Sequence, residues 1–193
     1  MKSLLHKSLL SLLSVLALLL TVGALANTSM AQVLKGKVSG ARVGTIVYVD
    51  WISGKDYKAE GKHVKMDQKG MKFIPHYLII LRGTTVDFLN SDAVGHNVYW
   101  KSPKPVNLGT WPQGQTKSYT FWDAGAVTLF CNVHPEMSGY IYVVPTPFYA
   151  QTKADGSFVI SGVPQGHVTL KTMGGSSKSK GVDVGAGTTN VEF

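Results

Sequence analysis

Short apolar runs that alternate with polar residues fill the chain after residue 32, and this pattern constrains the fold more than any other feature. Turn residues (Gly, Pro, Asn or Asp) separate the runs about every 8–12 residues, which is typical of all-β sandwiches. Arg82-Gly83 and Asp155-Gly156 are typical of tight hairpin turns. The predicted strands are residues 45–49, 77–81, 85–89, 118–121, 127–130, 140–144, 157–160, 168–170 and 189–193. The pattern therefore predicts an all-β fold.

The first 31 residues have the composition of a secretory signal peptide rather than of a strand. Lys2 and Lys7 precede a leucine-rich run, and small residues follow it, with candidate cleavage after Ala26 or Ala31. The alternative is a retained membrane anchor, but a spanning helix needs about 20 apolar residues, and Gly23 interrupts the run. We therefore predict a periplasmic or secreted protein without stable membrane insertion after signal removal.

The charge of the chain is basic but dispersed. The formal net charge is +8 at pH 7, with 19 Lys and Arg against 11 Asp and Glu. The lysines do not form a run of five or more, so the sequence does not predict a nucleic-acid partner. A basic surface favours acidic partners at long range, and it also serves solubility.

Cys131 is the only cysteine in the sequence. Exported proteins normally pair their cysteines or lack them, because a lone thiol is exposed to oxidation. A buried, inert thiol is the default interpretation of one cysteine. A metal is the more specific explanation.

Four side chains around Cys131 form a plausible metal-binding set. Cys131, His134 and Met137 occupy seven residues between two predicted strands, and His96 would close the site from a neighbouring turn. One thiolate, two imidazoles and a thioether are the donors of a blue-copper electron-transfer site. The sequence therefore predicts one copper ion that cycles between Cu(II) and Cu(I).

Residues 63–145 resemble a cupredoxin of the plastocyanin and amicyanin type. The resemblance rests on residues 73–75, the strand 83–90, residues 95–98, the turn 121–125 and the C-x2-H-x2-M loop, whose spacing is that of amicyanins. It implies an eight-stranded Greek-key sandwich with copper at one end. His96 and His134 would be the imidazole ligands, Cys131 the thiolate and Met137 the axial ligand. The resemblance also gives Asn97 a role beside the cofactor, tying the two ligand loops together.

The flanking segments resemble the carboxypeptidase regulatory-like β-sandwich. This similarity rests on Gly36-Lys37-Val38, residues 46–49 and the T-x-x-D-G-x-F motif within residues 150–166. Short isolated hairpins are marginal in water, so neither flank is expected to fold alone. We therefore predict a second, small β-sandwich made of residues 32–62 and 146–193, with residues 63–145 inserted into it.

The sequence favours an electron carrier over an enzyme. Copper oxidases need His-x-His and His-Cys-His motifs, and this sequence contains neither motif. The binuclear copper domain of terminal oxidases needs two cysteines in its loop, and this sequence has one cysteine. Expected partners are periplasmic redox proteins, such as a cytochrome or a redox enzyme. The alternative is a structural or adhesion module in which copper binding is secondary, which the flanking segments suggest.

Overall fold

The structure, a computed structural model, describes residues 32–59 and 61–193. The predicted signal peptide, residues 1–31, lies outside the described residues. In the described part of the chain, no helix is long and apolar enough to cross a membrane.

Sixteen strands make up the described part of the chain. In chain order they are β1 Val33–Lys37, β2 Ile46–Ile52, β3 His63–Gln68, β4 Phe73–Ile74, β5 Tyr77–Leu81, β6 Thr84–Asn90, β7 His96–Trp100, β8 Val106–Trp111, β9 Thr116–Phe121, β10 Gly125–Phe130, β11 Ser138–Val144, β12 Tyr149–Gln151, β13 Ser157–Ser161, β14 Gly166–Met173, β15 Ser179–Val184 and β16 Thr188–Glu192. The all-β prediction is therefore confirmed.

The strands from β3 to β11 form two facing sheets, which we call the central sandwich. One sheet has the order β5-β11-β10-β7-β8 and the other β4-β3-β6-β9. In β6 every second residue from Thr84 to Asn90 is buried, as expected for a strand with one face on a core. The resemblance implies eight strands, and β4, only two residues long, makes the ninth here.

The strands from both ends of the chain form two further sheets, which we call the flanking sandwich. Their orders are β13-β1-β16 and β12-β2-β14-β15. Gly36 lies in β1 between its partners Phe158 of β13 and Val191 of β16. An added Cβ would lie 2.1 Å from the carbonyl oxygen of Val191 and 2.7 Å from the ring of Phe158, so a larger residue does not fit between these strands. Gly156 takes φ 80° in the turn between β12 and β13. Such an angle favours glycine. The hairpins predicted at Arg82-Gly83 and Asp155-Gly156 are instead turns between strands of different sheets, β5 to β6 and β12 to β13.

A small apolar cluster joins the two sandwiches. Its buried members are Ile46, Tyr48, Tyr142, Val144 and Met173. They come from β2 and β14 of the flanking sandwich and from β11 of the central one. The outer faces of the two sandwiches are therefore in apolar contact.

Polar contacts fix the two connections between the sandwiches. In the connection that leaves β2, the amide of Ala59 donates to the carbonyl of Arg82 (2.9 Å), and Arg82 Nε donates to the carbonyl of Tyr57 (2.9 Å). In the return connection after β11, Thr146 Oγ1 donates to the carbonyl of Val49 (2.6 Å). Both connections are therefore held against structured parts of the chain.

The structure differs from the sequence prediction mainly in strands with weak apolar alternation. β3 was not predicted, because His63, Lys65, Asp67 and Gln68 make it look polar. The sequence also predicts no strand between residues 171 and 188, whereas β15 begins at Ser179 and pairs with β14. The first residues of β15 are polar and exposed, and they are held in the sheet by backbone pairing with β14. Such pairing leaves no apolar pattern in the sequence.

Candidate metal centre

The ligand loop is the tight connection between β10 and β11. β10 ends at Phe130, Cys131 follows it directly, and β11 begins at Ser138. Inside the loop, the amide of Met137 donates to the carbonyl of His134 (3.0 Å). This short turn brings the side chains of residues 131, 134 and 137 to one end of the central sandwich.

His96 enters the site as the first residue of β7 rather than from a free turn. The preceding loop, residues 91–95, is held by the buried Asn90. Asn90 Nδ2 donates to the carbonyls of Val94 (2.8 Å) and Trp111 (3.0 Å), and its Oδ1 accepts from the amide of Asp92 (3.0 Å). Since His96 also pairs with Trp111 in the sheet, its backbone is fixed from both sides.

The structure brings His96, Cys131 and His134 together. The two histidine Nδ1 atoms lie 3.0 Å apart, and Cys131 Sγ lies 4.0 Å from His134 Nδ1. One ligand atom from each of the three residues lies within 4.8 Å of the others. Among the described residues, these three make up the one such cluster of His, Cys, Asp and Glu side chains.

These distances fit one first-row metal ion. Two imidazole nitrogens that each bind one ion at about 2.0–2.1 Å lie about 3 Å apart, which is the separation found between His96 and His134. His96 is fully buried and Cys131 nearly so, while His134 is partly exposed. One imidazole edge is therefore accessible from solvent, although the sulfur is shielded.

Met137 is buried at the end of the ligand loop. Its side chain is 1% exposed and belongs to the same core cluster as Cys131. A thioether beside a His₂Cys set is the weak axial donor of blue-copper sites. The His-Cys-His-Met set suits one copper ion, since soft sulfur favours Cu(I) and imidazole also suits Cu(II).

Asn97 connects the two segments that carry the ligands. Its Oδ1 accepts from the amide of Asn132 (3.2 Å), and its own amide points at Cys131 Sγ (3.4 Å). Its Nδ2 donates to Asn107 Oδ1 and to the carbonyl of Gly109, both at 2.8 Å. One buried amide side chain thus ties β7 to the ligand loop and to β8. Outer hydrogen bonds of this kind orient metal ligands.

We expect Asn97→Ala to loosen the ligand loop. The change removes the hydrogen bonds that Asn97 makes with the amide of Asn132, with Asn107 Oδ1 and with the carbonyl of Gly109. Each hydrogen bond that is lost costs about 0.5–1.5 kcal/mol. Denaturant unfolding of the copper-free protein measures this loss, and transfer of copper to a chelator should be faster. Asn190→Ala, at an exposed position of β16, is the control. Equal stability of the two variants would contradict the role given to Asn97.

Asp92 is a site residue that the sequence did not reveal. Its Oδ2 lies 2.8 Å from His96 Nε2. Its carboxylate also accepts from the amides of Gly70 (2.7 Å) and Met71 (2.9 Å). The hydrogen bond from the Met71 amide, followed by those from His96 and the Gly70 amide, lowers the pKa of Asp92 to about 2. Asp92 stands four residues before His96 in the sequence, which is the one feature from which the contact could have been predicted. Outside a helix, however, a spacing of four residues does not imply contact.

The other described histidines lie apart from this cluster. His63 contacts Asp87 (3.0 Å) and His167 contacts Asp183 (2.7 Å), both near the surface. His76 packs edge-on against Tyr77 and Tyr140.

Comparisons with known proteins find similarity in the central part of the chain. Residues 60–144 match the family described as copper binding proteins, plastocyanin/azurin family. The comparison with curated proteins found no match.

Among solved structures, a mutant of amicyanin in the Cu(I) form is 27% identical, with 42% of this chain and 81% of that chain covered and a TM-score of 0.40. A second amicyanin mutant in the Cu(I) form is 26% identical, with 50% and 97% covered and a TM-score of 0.41. A reduced amicyanin mutant is also 26% identical, with the same coverage and a TM-score of 0.40.

The family match covers less than half of the chain, and it contains all four donors of the candidate centre. The matched segment also contains Asn97 and Asp92, which hold the ligands in place. The central sandwich is therefore similar to the copper binding proteins of the plastocyanin/azurin family.

Proposed function

We propose that this protein is an exported blue-copper protein that carries single electrons between redox partners. The observation that supports this most is the convergence of His96, Cys131 and His134 at the end of the central sandwich, with Met137 buried in the same core cluster as Cys131. A mixed sulfur and nitrogen donor set that is held from outside reorganises little when copper changes its oxidation state. Little reorganisation is what fast one-electron transfer requires.

Copper reconstitution tests this proposal directly. The copper-free protein should bind one equivalent of Cu(II) and become intensely coloured through thiolate-to-copper charge transfer. The colour should bleach on one-electron reduction and return on oxidation. A fully loaded but colourless protein would exclude the electron-carrier function and favour the structural alternative.

We place the electron port at the partly exposed ring of His134. Three exposed apolar side chains lie on loops that carry or hold ligands: Val133 (48% exposed), Val94 (47%) and Met71 (41%). Val133 precedes His134, Val94 lies in the loop before His96, and the amide of Met71 is bonded to Asp92. Exposed apolar side chains on the loops around a metal centre are suited to transient docking.

Electron self-exchange tests this docking face without a known partner. Val133→Lys would place like charges opposite each other when two copies meet at this face, and such juxtaposition costs several kcal/mol. A loss of only about 1.4 kcal/mol already slows the exchange roughly tenfold. NMR line broadening in mixtures of oxidised and reduced protein measures the rate.

Val43→Lys is the matched control, because Val43 is 74% exposed in the flanking sandwich. It adds the same charge away from the ligand loops, so its self-exchange rate should stay near that of the wild type. Equal slowing in both variants would refute the assignment of the docking face.

We also propose that residues 63–145 are one domain, inserted into a second domain of residues 32–62 and 146–193. Support comes from the sheets, since none of the four contains strands from both segments. The core clusters of the two sandwiches are likewise separate. The carboxypeptidase regulatory-like resemblance of the second domain stays a prediction, with a scaffold role as its expected consequence.

The proposed location is the periplasm or the extracellular space. Its support is the composition of residues 1–31 and the lone, metal-suited Cys131. Expected partners are redox proteins of the same compartment, such as a cytochrome or a redox enzyme. N-terminal sequencing of the mature protein would decide between cleavage after Ala26 and after Ala31.

A further inference from the structure

The turn between β3 and β4 is bonded to the candidate metal centre through one side chain. Lys69 donates its amide to the carbonyl of Lys72 (3.0 Å), which closes the turn. Within it, Gly70 and Met71 both take positive φ, 61° and 56°. Methionine rarely adopts this angle, so surrounding contacts must hold it there.

The carboxylate of Asp92 supplies those contacts. Its two oxygens each accept one backbone amide of the turn, Gly70 at 2.7 Å and Met71 at 2.9 Å. The side chain of Asp92 is 17% exposed, so solvent competes little for these bonds. The turn and the loop before His96 are therefore clamped together.

The same carboxylate fixes the ring of His96. Asp92 Oδ2 accepts from His96 Nε2 at 2.8 Å, so Nε2 must carry the proton. Nδ1 is then left with its lone pair and lies 3.0 Å from His134 Nδ1, inside the cluster. The contact thus selects the tautomer that a metal requires, in the way that carboxylate–histidine pairs do at metal sites.

The charge of Asp92 also acts on the oxidation state of the metal. Cu(II) carries one more positive charge than Cu(I), and a nearby negative charge stabilises the more positive state. Because His96 is fully buried, the interaction is screened less than one at the surface. The reduction potential of a copper site responds to such outer hydrogen bonds and charges.

We propose that Asp92 is a positioning residue that links the 69–72 turn to His96, and that it stabilises Cu(II) over Cu(I). This inference rests on the proposed copper function. It means that the reduction potential of the copper depends on a residue other than the four ligands. The 69–72 turn contributes to this arrangement, because the amides of Gly70 and Met71 hold the carboxylate of Asp92 against the ring of His96.

Redox titration of Asp92→Asn tests the electrostatic part. The change keeps the size of the side chain and removes its charge, so the potential should rise. We expect the one-electron equilibrium to shift at least tenfold, which is about 59 mV. Asp92→Glu keeps the charge and should stay closer to the wild type.

Glu136→Gln is the matched control for charge. Glu136 is an exposed residue of the ligand loop, so its replacement removes one negative charge from the same end of the sandwich. Its effect should be clearly smaller than that of Asp92→Asn. Equal shifts of the reduction potential in the two variants would overturn the proposal. They would show that the loss of any negative charge near the site has the same effect, whether or not that charge contacts His96.

Copper-free protein tests the positional part separately. In Asp92→Asn the amides of Gly70 and Met71 should exchange with solvent at least tenfold faster, and ¹⁵N NMR should show that His96 no longer holds one tautomer. Unchanged exchange and an unchanged tautomer would overturn the link between turn and ring. If the wild type fails to form a coloured copper site, the proposed function fails, while these metal-free measurements still decide the role of Asp92.

Discussion

Cys131→Ser is expected to abolish the visible absorption of the copper-loaded protein. The colour arises from charge transfer out of a thiolate, and a serine hydroxyl stays protonated at neutral pH and is a hard donor. Serine is close to cysteine in size, and the site is 2% exposed, so the fold should persist. Visible absorption after Cu(II) addition measures the loss, and far-UV circular dichroism checks the fold.

Met137→Leu is the informative partner of this variant. It removes the thioether but leaves the thiolate and both imidazoles, so the colour should remain. Without the axial donor Cu(II) loses stabilisation, and the reduction potential should rise. An intact visible band in Cys131→Ser would show that the chromophore, and with it the ligand assignment, is wrong.

Phe88→Ala and Phe158→Ala are expected to give the largest losses of stability. Phe88 is fully buried in the core of the central sandwich, and Phe158 is 2% exposed in the core of the flanking sandwich. Truncating a buried phenylalanine costs about 3–5 kcal/mol. Each variant should therefore weaken the sandwich that contains it.

Two probes separate the effects of these variants. Loss of visible absorption on heating follows the central sandwich, while circular dichroism follows both. Phe88→Ala should shift the loss of colour to lower temperature by more than Phe158→Ala does. If the two variants shift both probes equally, the chain unfolds as one cooperative unit, and the predicted division into two domains is wrong.

The architecture was readable from the sequence wherever one strand face is buried. Alternation along residues 84–90 predicts a strand because every second side chain enters a core. Residues 140–144 are predicted as a strand by their continuous apolar run, and residues 141–144 are all buried. β3 escaped prediction, since its backbone pairs with β6 while its side chains are largely polar. Pairing between distant backbones leaves little trace in a local pattern.

The metal ligands could be predicted from the sequence, whereas the residues that hydrogen-bond to them could be predicted only in part. Cys131, His134 and Met137 are close in sequence, so chemistry and spacing together identify them. Asp92 is different, because its contacts with Gly70 and Met71 join residues more than twenty positions apart. Its role depends on the parallel pairing of β3 with β6, which places their ends, Gln68 and Asn90, side by side. Chain spacing holds no information on that point.

The two pinned connections between the sandwiches affect how the metal centre meets other molecules. A carrier on one flexible tether samples many orientations, and its reach grows with linker length. Here the chain enters and leaves the central sandwich through segments that are bonded at Ala59, Arg82 and Thr146. If the flanking sandwich is bound to a surface, that surface therefore also sets the direction in which the imidazole of His134 faces. A redox partner then meets this imidazole in one fixed orientation.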